Sequence, residues 1–317
     1  MGASPRPGRR RIATLAAALL TGAAALAGCG LGSGDSPTGT QLRVTTDYGA
    51  RALVDTDQPK TGGSDTVMRL LQRNAKDVKT RFGGGFVQTI DGRSGGDRGG
   101  RPMDWFFYVN GVEADKGSAS TRVREGDRIW WDLHDWGTAM RVPAVVGQYP
   151  APFTHGIEGR KLPTRVECED PNATTCTEVR DKLVEQDVPA AKGIISRSFV
   201  QETLRVLVGR WQVLGEDPNA GLIRGGPESS GVFVKPSADG SRFTLLDPEG
   251  RPTRTLGAGT GLIAAVKTER EQPVWVVTGT DAAGVEAAVQ AFDEGALAGR
   301  FAIAISDGKP VPLPEVR

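Results

Sequence analysis

Residues 104–136 read DWFFYVNGVEADKGSASTRVREGDRIWWDLHDW and hold four of the six tryptophans in the chain. Trp105 to Val109 is apolar on both sides, which reads as a strand buried on two faces. Asn110-Gly111 follows, a dipeptide suited to the positive φ angles of a tight hairpin turn. Arg124-Glu125-Gly126-Asp127 makes a second turn into a closing strand, Arg128 to Trp136. Side chains alternate faces along it, so Ile129, Trp131, Leu133 and Asp135 point one way and Trp130, Asp132, His134 and Trp136 the other. The first set is mostly core material. The second mixes indole, carboxylate and imidazole, which is unusual for a core face. With Tyr108 on the neighbouring strand, Trp130, His134 and Trp136 are therefore read as an open stripe on which a flat ligand stacks while His134 offers a nitrogen. The competing reading is that the tryptophans fill the core between two domains.

The same residues carry a resemblance. An aromatic strand ending in Val109-Asn110-Gly111, a linker holding Gly117, then Glu125-Gly126-Asp127-Arg128-Ile129-Trp130-Trp131 resembles the transcobalamin C-terminal-like domain family, over about Leu42 to Trp136. In transcobalamin and intrinsic factor that small β-rich domain closes over one side of bound cobalamin. The resemblance thus implies a corrinoid, or another large flat molecule, as ligand. The helical barrel that forms transcobalamin's other half has no counterpart in this chain.

Toward the N-terminus, Arg9-Arg10-Arg11, an apolar run from Ile12 to Ala25, and Leu26-Ala27-Gly28-Cys29 resemble a bacterial lipoprotein signal, with cleavage before Cys29 and acylation of that cysteine. The apolar run is too short for a comfortable membrane span. The expected organisation is a signal peptide over 1–28, a Gly/Ser/Pro-rich tether over 29–40, a first domain over 41–140 and a second over 141–317. The address is the extracytoplasmic face of the cell membrane, with the lipid as anchor and either Sec or Tat as the export route.

The first domain reads as an alternating strand Leu42–Thr46 within Gln41 to Ala52, a helix capped by Ser64 with Val67, Leu70, Leu71, Ala75 and Val78 at helical spacing, a strand Phe86–Ile90, and then the aromatic hairpin. That order gives an α+β, β-grasp-like domain. Gly92 to Arg101, rich in Gly and Arg, reads as a disordered tip or a mobile flap. Its Gly92-Arg93-Ser94-Gly95-Gly96 matches the spacing of a nucleophile elbow but lacks the helix that must follow. Beyond it come strands at Ala144–Gln148, Leu204–Trp211, Gly231–Lys235, Arg242–Leu246, Gly261–Lys267, Pro273–Thr278 and Phe301–Ile305, with helices at Cys176–Gln186 and, capped by Asp281, at Ala282–Asp293. This is a mixed α/β domain. Its glycine clusters at 225–226, 257–261 and 278–281 lack the setting of a phosphate loop and read as turns and caps.

Cys168 and Cys176 flank the turn formers Asp170-Pro171-Asn172 in an exported chain, which points to a disulfide rather than two buried thiols. A metal site is not expected, since the only histidines are His134 and His155. Cleavage before Cys29 removes four arginines and no acid, taking the formal charge from +1 to −3. That balance argues against a nucleic-acid partner. No nucleophile–base pair or paired-carboxylate signature can be placed by spacing, so no catalytic residues and no required cofactor are expected. Two functions remain: a surface lipoprotein that binds a ligand, with cobalamin as the candidate, for a transporter; or an envelope adaptor that docks another protein and holds no small molecule.

Overall fold

The computed structural model describes residues 1–2, 35–196, 202–269 and 271–316. Most of the expected signal segment, Cys29 and the first part of the tether lie outside them. The chain divides into two compact units, Met1–Gly32 and Ser33–Arg317, and every described strand and helix belongs to the second. The fold is α+β, with many strands and few helices.

The first sheet is built from β1 (Gln41–Thr46), β2 (Arg51–Thr56), β3 (Pro102–Val109) and β4 (Arg128–Asp135), in the order β2-β1-β4-β3, with helix α1 (Val67–Asn74) between β2 and β3 in sequence. β1 and β4 pair in parallel, while β1–β2 and β3–β4 are antiparallel. Asn110 and Gly111 turn the chain out of β3 at φ 50° and 78°, the positive angles that their small side chains permit. One face of the sheet packs Leu42, Val44, Trp105, Ile129, Trp131 and Leu133 against Val67, Met68, Leu70 and Leu71 of α1. The helix cap is Thr66, not Ser64: its Oγ1 accepts from Arg69 N at 3.4 Å. Ser64 sits at φ 62°, and Asp65 is buried between Gly62 N and the Arg73 guanidinium. The helix also ends earlier than its apolar spacing suggests, leaving Ala75 and Val78 on the rim of the cluster.

Gly92 to Arg101 is neither a free tip nor a loose flap. Arg93–Ser94 pairs with Phe86–Ile90, and Gly96–Asp97 pairs with the start of β3. Ser94 Oγ lies 2.9 Å from Thr89 Oγ1, within that ribbon.

The second sheet contains β5 (Thr164–Cys168), β6 (Ala190–Ile194), β7 (Leu204–Arg210), β8 (Gly261–Val266), β9 (Val274–Gly279), β10 (Ala302–Ser306) and β11 (Lys309–Leu313), in the order β6-β5-β7-β9-β8-β10-β11. The first four in that order are mutually parallel; β8 then pairs antiparallel with β9, β10 with β8 and β11 with β10, so β8 and β11 oppose the rest. Every residue of β8 and β9 is buried, as expected of strands covered on both faces. Helices α2 (Thr174–Val184) and α3 (Ala282–Gln290) cover one face with Cys176, Val179, Val285 and Val289. The opposite face joins the first sheet in one apolar cluster: Leu207, Leu262, Val276 and Phe301 meet Tyr48, Tyr108 and Trp130. A small antiparallel sheet, Val234–Pro236, Phe243–Leu246 and Pro252–Leu256, packs into the same cluster.

The strand expected at Ala144–Gln148 reduces to a single bridge between Ala144 and Val112. Val145 N donates to Gly111 O and Val146 N to Phe301 O, so this segment splits its bonds between the two sheets and forms no ladder. The glycine clusters are turns and caps: Asp281 Oδ1 accepts from Gly284 N at 2.8 Å and its Oδ2 from Gly259 N at 2.9 Å.

Candidate functional site

The stripe expected to be open is interior. Tyr108 and Trp130 are fully buried and His134 is 1% exposed, because the second region covers the face that would have been free. The His134 ring is stacked between Tyr48 and Phe106, at centroid distances of 4.6 and 4.4 Å, with Phe301 edge-on at 5.4 Å. Its Nδ1 lies 2.9 Å from Asp132 Oδ2. That carboxylate also accepts from Tyr48 N at 3.1 Å, Gly49 N at 2.9 Å and the Thr45 hydroxyl. Trp130 Nε1 donates to Thr45 Oγ1 at 2.7 Å. The unusual mixture of indole, carboxylate and imidazole is thus a buried polar network whose members bond one another, as buried polar groups must. Burial holds the phenols of Tyr48 and Tyr108 well above the usual tyrosine range. Trp136, only half-buried, donates from Nε1 to Asp104 Oδ2 at 2.9 Å. Burial raises the Asp104 carboxyl in spite of that bond. No continuous stacking face for a macrocycle is left.

A charged cleft of about 360 Å³ lies where the first sheet meets residues 247–251. Arg101 bridges Asp135 at 2.9 Å and Glu249 at 3.0 Å, while Arg251 bridges Asp247 at 2.8 Å and Glu249 at 2.7 Å. These charges already satisfy one another across the junction, and the hydrogen bond to Asp135 raises the Arg101 pKa further. The cleft is a strap between the first sheet and the small antiparallel sheet.

A third depression lies beside an uncapped helix N-terminus. β5 leads through α2 to β6 on its outer side, and β7 then returns on its inner side. The chain therefore leaves β5 and β7 in opposite directions. In open parallel sheets the crevice beyond the carboxyl ends of two such strands is the usual place for a ligand. Here that crevice measures about 330 Å³ and is lined by Glu169, Thr174, Thr175, Gly209, Arg210 and Glu286, among others.

Its chemistry follows from its walls. α2 begins at an Ala173 cap that provides no side-chain acceptor, and its first turn contains no acid. An α-helix leaves its first N–H groups without partners in the helix, and its N-terminus carries partial positive charge. α3 differs, since Asp281 caps it. Arg210 closes the opposite wall, with Nε 3.0 Å from Glu169 Oε1, its terminal nitrogen on the same oxygen, and its backbone N–H 2.9 Å from Oε2. Burial works to raise the Glu169 carboxyl, but these bonds outweigh it and hold it below the usual range. Gly209 floors the site: a Cβ there would lie 2.7 Å from Glu169 Cβ and 2.8 Å from Leu214 Cδ1. The Cys168–Cys176 disulfide, with a Cα–Cα distance of 6.0 Å, ties the end of β5 to the first turns of α2 and so fixes the rim Glu169–Thr175. The crevice thus offers a helix N-terminus and a guanidinium to an anionic group, and Glu169 and Glu286 to a donor.

Sequence reading found the disulfide and the strand leading to Arg210 but passed over Glu169, Thr174, Thr175, Gly209 and Arg210. The available signal was Gly209-Arg210 directly after an apolar strand, with Glu169 adjoining the cysteine. Among the described residues no group of three or more His, Cys, Asp or Glu side chains is placed to hold a metal ion.

No curated protein matches the chain. Among solved structures it is similar to a crystal structure from Ruminococcus gnavus described as a "putative metal binding protein", at 17% identity and a TM-score of 0.23, covering 31% of this chain and 97% of that one. Residues 64–135, which run from before α1 to the end of β4 and exclude the crevice, match a family described as a domain of unknown function, DUF4430, and no family specific to transcobalamin accompanies it.

Proposed function

We propose that this protein is a lipid-anchored extracytoplasmic binding protein that holds a small polar ligand, bearing an anionic group, in the crevice between β5 and β7 for delivery to a transporter. The observation that carries this reading is the uncapped N-terminus of α2, set by a disulfide at the point where the parallel strands diverge. The anionic group faces the N–H groups of Thr174 and Thr175 and the guanidinium of Arg210. A donor on the ligand faces Glu169 and Glu286. These groups bind and orient. The ligand differs from the corrinoid that the resemblance implies, since Tyr108, Trp130 and His134 are core and a crevice of about 330 Å³ suits a far smaller molecule.

Thermal denaturation of the mature chain with a panel of small carboxylates, amino acids and phosphate monoesters tests this. At least one class should raise the melting temperature, and Arg210→Ala and Gly209→Val should each abolish the rise. No shift with any compound, or a shift that survives Gly209→Val, would refute it. The competing adaptor reading expects that negative result.

A further inference from the structure

Opposite in character to the crevice is the turn Arg81-Phe82-Gly83-Gly84-Gly85-Phe86, at the tip of the ribbon beside α1. Phe82 is 86% exposed and sits at φ 53°, a left-handed conformation that a bulky aromatic residue rarely adopts. Among the described residues its one ring neighbour is Phe86, edge-on at 6.3 Å. Two penalties are thus concentrated on one side chain, apolar surface in water and an unfavourable backbone. Neither helps the fold.

The surroundings indicate what the tip meets. Lys79 is paired with Asp77 at 3.1 Å, but Arg81, Arg122 and Arg124 are exposed and make no ion pair among the described residues. The segment 117–126 connects the tip to the tether. At one end a Cβ on Gly117 would lie 3.8 Å from Gly85 O. At the other, Gly126 N donates to Thr38 O and Thr38 Oγ1 donates to Glu125, beside a shallow depression in which Arg122 and Arg124 face Asp35, Asp65 and Glu125. Five residues lie between Cys29 and Asp35, a reach of at most about 20 Å. An acyl chain on Cys29 therefore holds this end of the molecule next to the bilayer.

We infer that the Phe82 turn is a membrane-contact tip, in which Phe82 enters the headgroup–acyl boundary of an anionic bilayer and Arg81, the exposed cation of the turn, faces lipid phosphates. This rests on the anchoring of Cys29 proposed above. The net charge of −3 is no obstacle, because the attraction acts within a Debye length of the local patch. A tethered tip needs only weak intrinsic affinity, since the anchor supplies a high local concentration of lipid. One contact then sets the orientation of the whole molecule on the membrane.

The test uses the acyl-free mature chain with Cys29→Ser, so that the tip's own affinity is measured apart from the anchor. It should sediment at low salt with vesicles of equal phosphatidylglycerol and phosphatidylcholine, and at least tenfold less with phosphatidylcholine alone. Phe82→Ser and Arg81→Glu should each weaken sedimentation at least fivefold at unchanged melting temperature. Phe82→Trp should keep it, with emission quenched by brominated lipid. Absence of sedimentation on anionic vesicles, or sedimentation unchanged by Phe82→Ser, overturns the inference. So does a Phe82→Ser variant that loses an envelope protein partner and keeps its vesicles. The mass of the native N-terminal peptide tests the anchor separately: an unmodified Cys29 defeats that reading without altering the vesicle result.

Discussion

At the scale of single residues, burial decides roles that residue type alone leaves open. Trp130 and Trp131 occupy opposite faces of β4, and both faces are covered. Trp130→Ala should therefore cost about 3–5 kcal/mol, as should Trp131→Ala, because each leaves a cavity in a packed core. Urea denaturation checks this, and a Trp130→Ala variant as stable as the parent would place its indole outside the core. The alternation that put Ile129, Trp131 and Leu133 inward was legible in the sequence. The fate of the other face was not, since Phe301 and the partners Thr45 and Tyr48 that cover and satisfy it lie far away along the chain. Glu169 gives a pH prediction. Its folded pKa is depressed, so its contribution to stability is present above the unfolded glutamate value of about 4.3 and is lost as pH falls through the folded value. Arg210→Gln should flatten the acid limb of melting temperature against pH below about 4.3 and move the Glu169 carboxyl upward in a carbon-detected titration. An unchanged limb would show the pair to be idle.

Elements were legible where their pattern was local. The aromatic hairpin, β8, β9 and the Asp281-capped α3 follow from alternation, apolar runs and a cap, each complete within a few residues. Ala144–Gln148 resembles a strand in composition, yet its hydrogen bonds go to Gly111 and Phe301, partners that no local pattern specifies. β5, β6 and β11 escaped notice for the complementary reason. Arg165 and Glu167 interrupt β5, Ala190–Ile194 is largely exposed, and Lys309–Leu313 contains two prolines suited to an edge. The disulfide acts at this scale. Closing so short a loop stabilises by roughly 2–3 kcal/mol in the chain-entropy account. Cys176→Ser paired with Cys168→Ser should lower stability by about that amount. It should also raise hydrogen exchange at residues 169–175 more than in α1, since the bond holds the crevice rim. Equal protection at the rim with and without the bond would contradict its positioning role.

At the scale of the whole molecule, the residues matching the DUF4430 family contribute α1, β3 and β4 to the first sheet and its helix, and the sheet's second face is closed by the C-terminal region. The first sheet is thus core on both faces, while the uncapped helix N-terminus lies at the carboxyl ends of the parallel strands and the exposed Phe82 at the turn 81–86. This division accounts for an aromatic stripe that looks like a binding face and is a junction. The capture proposed for the crevice would belong to a region whose motif is topological, so that no short stretch of sequence announces it. The most direct test is an amide and indole NMR titration of the mature protein with the same small-molecule panel and, in parallel, with cyanocobalamin. Capture in the crevice predicts shifts concentrated at the N–H groups of Thr174, Thr175, Gly209 and Arg210 with a small anionic compound, and none at the Trp130 or Trp136 indoles. Shifts at those indoles on addition of cyanocobalamin, with the crevice amides silent throughout, would contradict it.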